Sequence, residues 1–116
     1  MKIKIVLFLT LMMMTMGFTQ EVAPKFEKQG DLVKATYFYE DGSIKQVGFF
    51  SNDKLHGEWV SFDKKGEKTT IAQYEYGKKT GTWLVLTDGV VKQVTYEANK
   101  VINVKDLKET DLAFTD

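Results

Sequence analysis

A chain that repeats itself every two dozen residues has few folds open to it. Each unit is too short to bury a core alone and must lean on its neighbours. Here the period is about 24 residues. Displacing the sequence by 24 brings Gly42 onto Gly66, Gly57 onto Gly81, Trp59 onto Trp83, Lys54 onto Lys78, Phe50 onto Tyr74 and Val47 onto Ile71. Phe38, Phe62 and Leu86 form a series of three, and the small residues Gly48 and Ala72 coincide. A further copy follows with a shorter turn: Tyr74-Glu75-Tyr76-Gly77-Lys78 recurs 22 residues later as Tyr96-Glu97-Ala98-Asn99-Lys100. The residue ahead of the recurring lysine is Asp53, Gly77 or Asn99, three types that tolerate the left-handed backbone of a tight turn.

Each unit reads as strand, turn, strand, turn. Thr82 to Thr87 is β-branched and aromatic, Asp88-Gly89 follows, and Val90 to Tyr96 resumes the pattern. Asp-Gly between two such runs is a strong hairpin signal, because a type I′ turn needs positive φ at both central residues. That turn sets Thr87 opposite Val90, Val85 opposite Lys92 and Trp83 opposite Val94, with Leu84, Leu86 and Val91 on the other face. The same reasoning predicts strands near 32–39, 43–50, 58–62, 68–76, 82–87, 90–96 and 100–104. Their turns centre on Asp41-Gly42, Asn52-Asp53, Lys65-Gly66, Lys78-Lys79, Asp88-Gly89 and Asn99-Lys100. The recurring glycines Gly42, Gly57, Gly66, Gly81 and Gly89 are read as structural, permitting tight reversals. No window between Phe26 and Val104 has helical apolar spacing. The fold class is therefore all-β, built of repeated β-hairpins.

These residues resemble the MORN-type repeat in its bacterial variant: an aromatic strand, x-x-Gly, a second strand, an aromatic, x-x-Gly-Lys-x-x-Gly, and a tryptophan two positions on. Tyr39 to Gly42, Phe50 to Lys54, His56 to Trp59, Phe62 to Gly66 and Tyr74 to Trp83 carry the likeness. It spans about residues 33–104. The first copy departs from it, with Val33 and Ala35 where the Gly and Trp belong, and the last loses the pattern from Val101 onward. Degenerate ends suit the capping units of an array. The resemblance implies a meandering single antiparallel sheet of hairpins that serves in interaction and scaffolding, in some members with lipid contacts, and without shared catalytic residues.

Residues Met1–Thr19 read as a secretory signal peptide. Lys2 and Lys4 precede an apolar run from Ile5 to Phe18, and Gly17 and Thr19 place cleavage near Thr19/Gln20. The run is shorter than the ~20 residues of a spanning helix. The organisation expected is a leader at 1–19, an N-terminal lead-in at 20–31, a repeat domain at 32–104, and a tail at 105–116 that is either loose or a short capping helix from near Asp106. The expected destination is the periplasm or the exterior. Antitoxin-like roles known in some relatives are cytosolic, so the leader argues against them.

The chain has no cysteine, hence no disulfide, zinc–thiolate site or thiol nucleophile. Its 16 basic residues are all lysine, balanced by 16 acidic ones. Without arginine or a basic excess, nucleic acid is a poor partner. His56, the one histidine, would be a base with Ser51 or a metal ligand with Asp53 on a functional reading. Its counterpart in the next copy is Thr80, so it reads as a turn residue. The carboxylates Glu40, Asp41, Asp53, Glu58, Asp63, Glu67 and Asp88 sit in or beside turns without calcium-loop spacing, and no cofactor or metal is implied. Lys64-Lys65 and Lys78-Lys79 read as solubilising, edge-protecting charge.

The aromatics Trp59, Trp83, Tyr74, Tyr76, Tyr96 and Phe62 remain as candidate exposed binding residues, since one sheet cannot cover both its faces. The function expected is a non-catalytic, exported protein-interaction or scaffold module, working through an aromatic face or an edge strand on another protein or peptide. The alternative is a carbohydrate- or lipid-headgroup-binding envelope protein at a membrane surface or glycan. More distant are an immunity-like protein and a small hydrolase.

Overall fold

The computed structural model describes residues 22–108. The expected leader at Met1–Thr19 and the tail beyond Lys108 lie outside these residues. The described residues form nine strands and no helix: β1 (Lys25–Gln29), β2 (Leu32–Phe38), β3 (Ile44–Ser51), β4 (Lys54–Phe62), β5 (Lys68–Glu75), β6 (Lys78–Lys79), β7 (Gly81–Thr87), β8 (Val90–Glu97) and β9 (Lys100–Lys108). They make one antiparallel, meandering open sheet in the order β1-β2-β3-β4-β5-β7-β8-β9, with the short β6 also on β5. Each strand on this path pairs with the next along it, β5 with β7 across the short β6.

Two kinds of turn occur along this meander. At one end of the strands, two-residue turns have both central residues at positive φ: Asn52-Asp53, Tyr76-Gly77 and Ala98-Asn99. At the other end, Tyr39 to Ser43 and Asp63 to Glu67 close wider turns with the same pair of backbone bonds. Gly42 N–H donates to the Tyr39 carbonyl and Gly66 N–H to the Asp63 carbonyl, at 2.9 and 3.0 Å. Tyr39 N–H reaches the Ser43 carbonyl and Asp63 N–H the Glu67 carbonyl, both at 2.8 Å. Asp41 caps its turn through Ser43, whose hydroxyl and amide hold the carboxylate below its ordinary pKa. Asp88-Gly89 turns as the dipeptide predicted, and Thr87↔Val90, Val85↔Lys92 and Trp83↔Val94 are paired.

Several boundaries differ from those read in the sequence. The expected turn at Lys78-Lys79 lies two residues earlier, at Tyr76-Gly77, and that at Asn99-Lys100 lies one earlier, at Ala98-Asn99. Tyr76 and Ala98 accept left-handed backbone that their side chains disfavour, which is why propensity hid the turns. Strand β4 starts at Lys54, not near 58. The lead-in expected at 20–31 contains β1, paired along β2 from Lys25↔Thr36 to Gln29↔Leu32. At the far end β9 continues through Lys105–Lys108 on β8, so these residues are strand where a helix from Asp106 was an option.

Gly57 and Gly81 also differ from expectation. They are not at reversals but within the strand path, at φ 75° and 63°. The β3/β4 pairing passes from Val47↔Val60 to Phe49↔His56, so Gly48 alone faces Gly57, Glu58 and Trp59. The same slip recurs 24 residues on, between Ile71↔Leu84 and Tyr74↔Lys79. Bulges of this kind bend the strand and re-aim its side chains. Here the slip lays the Trp59 indole over Gly48, where a Cβ would fall inside the ring.

The core is accordingly thin. Ala35, Trp59 and Ala72 are buried on one face, with Tyr37, Phe50, Leu55, Tyr74 and Trp83 packed around them. Cross-strand pairing places Thr36, Val47, Val60, Ile71 and Leu84 on the opposite face, where Val91 is also fully buried.

Gly48→Ala is expected to destabilise the protein by about 2–4 kcal/mol, because the indole must leave its seat or the bulge must open. Ala98→Asn is expected to stabilise it by about 0.5–1 kcal/mol by suiting the left-handed backbone. Urea denaturation monitored by tryptophan fluorescence measures both.

Candidate functional site

An unbroken row of rings crosses the sheet on the face that carries Trp59. From β1 onward the neighbours are Phe26–Tyr37 at 6.2 Å between centroids, Tyr37–Trp59 at 6.3 Å, Trp59–Tyr74 at 6.5 Å, Tyr74–Trp83 at 5.2 Å and Trp83–Tyr96 at 5.0 Å. Phe50 adds an edge-to-face contact to Trp59 at 5.1 Å. The two indoles thus lie on one side, bracketing Tyr74.

Both indoles are anchored identically. Trp59 Nε1–H donates to the Phe49 carbonyl at 2.9 Å, and Trp83 Nε1–H to the Gln73 carbonyl at 3.0 Å. Donor and acceptor each shift by 24 residues between the two bonds, so the repeat is one of geometry as well as of letters. The Gln73 carbonyl also accepts the Thr80 N–H at 3.0 Å, so the ring bond is added to a main-chain bond beside the bulge.

Of the six aromatics singled out in the sequence, Trp59, Tyr74, Trp83 and Tyr96 belong to this row, whereas Tyr76 and Phe62 do not. Tyr76 sits in the β5/β6 turn with its ring 4.5 Å from His56. Phe62 falls on the opposite face by strand alternation from Trp59, and its carbonyl accepts the Tyr39 hydroxyl at 2.7 Å. Phe26, Tyr37 and Phe50 complete the row without having been singled out. Displacement by 24 sets Tyr37 against Ser61 and so conceals it. Phe26 could have been found from the Gly30-Asp31 turn, which announces a hairpin that brings Phe26 beside Ala35.

The rings mostly meet edge to face, at 90°, 84°, 83° and 65° for the Phe26, Phe50, Trp59–Tyr74 and Tyr74–Trp83 contacts. This satisfies the ring quadrupoles but occupies ring faces that a sugar would need. Trp59 is only 3% exposed. Lys79 lies over both Trp83 and Tyr96, at 5.1 and 5.3 Å from their centroids, capping that end of the row. Of the Lys78-Lys79 pair, one lysine is therefore part of the packing.

His56 is tied into the fold through its ring. Its Nδ1 accepts the Tyr76 N–H at 3.2 Å, while Gly77 N–H donates to the Leu55 carbonyl at 2.7 Å. These bonds dock the β5/β6 turn onto the neighbouring hairpin. Among the described residues no three His, Asp or Glu side chains converge as a metal site.

The sheet edges are different in character. On β9, Val101, Ile102 and Val104 are each more than half exposed, and no strand of the described residues lies beyond them. On β1, Phe26 is 57% exposed. Away from these edges, Ile44, Tyr76 and Val90 are also exposed, but singly. Set against family models, curated proteins and solved structures, the chain matches none of them.

The burial of Tyr74, reinforced by the nearby Tyr96 phenol, raises its hydroxyl pKa above the usual value of 10.0. The folded state holds this proton more tightly than the unfolded chain does. Its stabilising effect is complete below the unfolded pKa and is lost as pH rises through the folded one. Thermal melts between about pH 9 and 12 are expected to show a shallower alkaline fall for Tyr74→Phe than for the native protein.

Proposed function

We propose that this chain is a non-catalytic interaction module working outside the cytoplasm, and that its partner adds a strand to β9. One observation carries this reading. β9 is nine residues long, its outer side is unpaired among the described residues, and Val101, Ile102 and Val104 are its exposed apolar side chains. A strand edge of that kind offers main-chain bonds for affinity and side-chain positions for selectivity. The aromatic row supports the reading indirectly. With its rings packed on one another, it stiffens the sheet and holds the edge ready to be joined.

We read the repeat as a MORN-type array on the same grounds as its sequence. The recurring indole anchors, recurring bulges and recurring turn bonds favour that assignment. Export rests on the leader sequence. A glycan- or headgroup-binding role is less well supported, because the ring faces it would use are largely taken.

A photo-crosslinking side chain placed at Val104 is expected to capture a protein in the cell envelope. The same side chain at Ser43, in a turn far from the edge, is expected to capture none. Equal labelling from both positions, or labelling of glycan alone from Val104, would overturn the assignment of β9 as the contact edge.

A further inference from the structure

The two edges of this sheet match each other in direction, in hydrogen-bonding pattern and in face, and one register between them sets Glu27 against Lys105. The strand path has eight members. Antiparallel neighbours alternate in direction, so β1 and β9 run oppositely. A β1 placed beside β9 would continue the meander antiparallel, with the ring-bearing faces on the same side.

The outward-pointing backbone groups also match. In an antiparallel ladder, opposed residues alternate between exchanging both hydrogen bonds and exchanging none. A two-residue turn makes its flanking pair a bonded one. Gln29↔Leu32 flanks Gly30-Asp31, so Gln29, Glu27 and Lys25 bond inward to β2, while Lys28 and Phe26 aim their N–H and C=O outward. Glu97↔Lys100 flanks Ala98-Asn99, and the register slips by one residue near Ile102. Beyond that slip Asn103, Lys105 and Leu107 bond inward, and Val104 and Asp106 aim their N–H and C=O outward. Following cross-strand partners from Trp83 through Val94 to Val104, and from Trp59 through Ala72 back to Ala35 and Phe26, puts the outward sets of both edges on the ring face.

We propose that the partner of β9 is β1 of a second copy of this chain, joined antiparallel with Lys28 opposite Val104, Glu27 opposite Lys105 and Phe26 opposite Asp106. This rests on the reading of β9 as the contact edge and names what fills it. In this register Glu27 and Lys105 form a non-bonded pair, the kind whose side chains approach most closely. Gln29 meets Asn103, Lys28 lies diagonal to Asp106, and Phe26 lies diagonal to Val104. Phe26 of one copy and Val104 of the other, each exposed on its own edge, are thereby covered together on the ring face.

Pairing β9 with itself is less favourable. Centred on Lys105 or on Asp106 it opposes like charges, and centred on Val104 it sets Asp106 against the slipped Ile102. The β9–β1 junction is head to tail and leaves one free edge of each kind, so assembly is open-ended.

Sedimentation velocity of the purified protein over a range of concentrations tests this. The average mass is expected to rise with concentration and to continue past two copies. Val104→Pro removes an N–H that faces away from β8, so its circular dichroism and melting temperature are expected to stay near native while association is lost. Glu27→Lys and Lys105→Glu are each expected to weaken association by about two- to fivefold, and the double exchange to restore it. A single unassociated species at every concentration, a limit at two copies, or a double exchange no better than the single ones would overturn the proposal. If the protein stays monomeric while the Val104 crosslinker still captures a different protein, self-pairing is wrong and strand addition stands. If neither occurs, both fail.

Discussion

The seating of the Trp59 indole over Gly48 is the contact on which the rest of this protein depends. A single-layer sheet has no second layer to press against, so its apolar side chains must cover one another along the surface. An indole lying flat across a neighbouring strand does this well, because it spans two strands and brings a polar N–H that must be satisfied. Gly48 leaves the space, the slip in pairing between β3 and β4 aims the ring, and the Phe49 carbonyl accepts the N–H at 2.9 Å. Burying a side chain of this size contributes on the order of 3 kcal/mol, a large share of what a core this small can supply.

The repeat follows from that unit. The second indole repeats the bond to a carbonyl ten residues earlier, and Tyr74 fills the gap between the two rings. Each hairpin therefore brings both an apolar surface and a ring edge for the preceding one. At the ends the pattern changes because no further strand of the described residues adjoins them. Ala35 takes the tryptophan slot in the first copy and is buried by Tyr37 and Trp59 around it, whereas Val101 and Val104 follow the last ring and stay exposed. The interior rings are thus packed on one another, while the outer sides of β1 and β9 are unpaired among the described residues.

Much of this was readable in the residues. The spacing of Trp59 and Trp83, the Asp88-Gly89 dipeptide and the alternation from Thr82 to Tyr96 lead directly to hairpins with both indoles on one face. Where the reading slipped, a local preference had been overridden. Tyr76 and Ala98 sit in left-handed turns because the neighbouring hairpin fastens the next residue: Gly77 N–H reaches the Leu55 carbonyl and Asn99 N–H the Lys79 carbonyl. The exposed role imagined for the aromatics divided likewise. Four of the six lie in the packed row, while Tyr76 and Phe62 went elsewhere because a turn and a change of strand phase separate them from it.

The sequence alone determined that this chain is a succession of hairpins, since turn residues and alternating strands act over a few positions and leave periodic traces. It also determined that the tryptophans share a face, because strand parity is counted along the chain. Only the tertiary structure decided that Gly57 and Gly81 mark bulges, that Lys79 covers two rings, and that Phe26 and Tyr37 extend the row. Those facts depend on pairing between strands: the recurring glycines record that something repeats, but only the pairing shows a slip of two residues that moves an indole onto its neighbour.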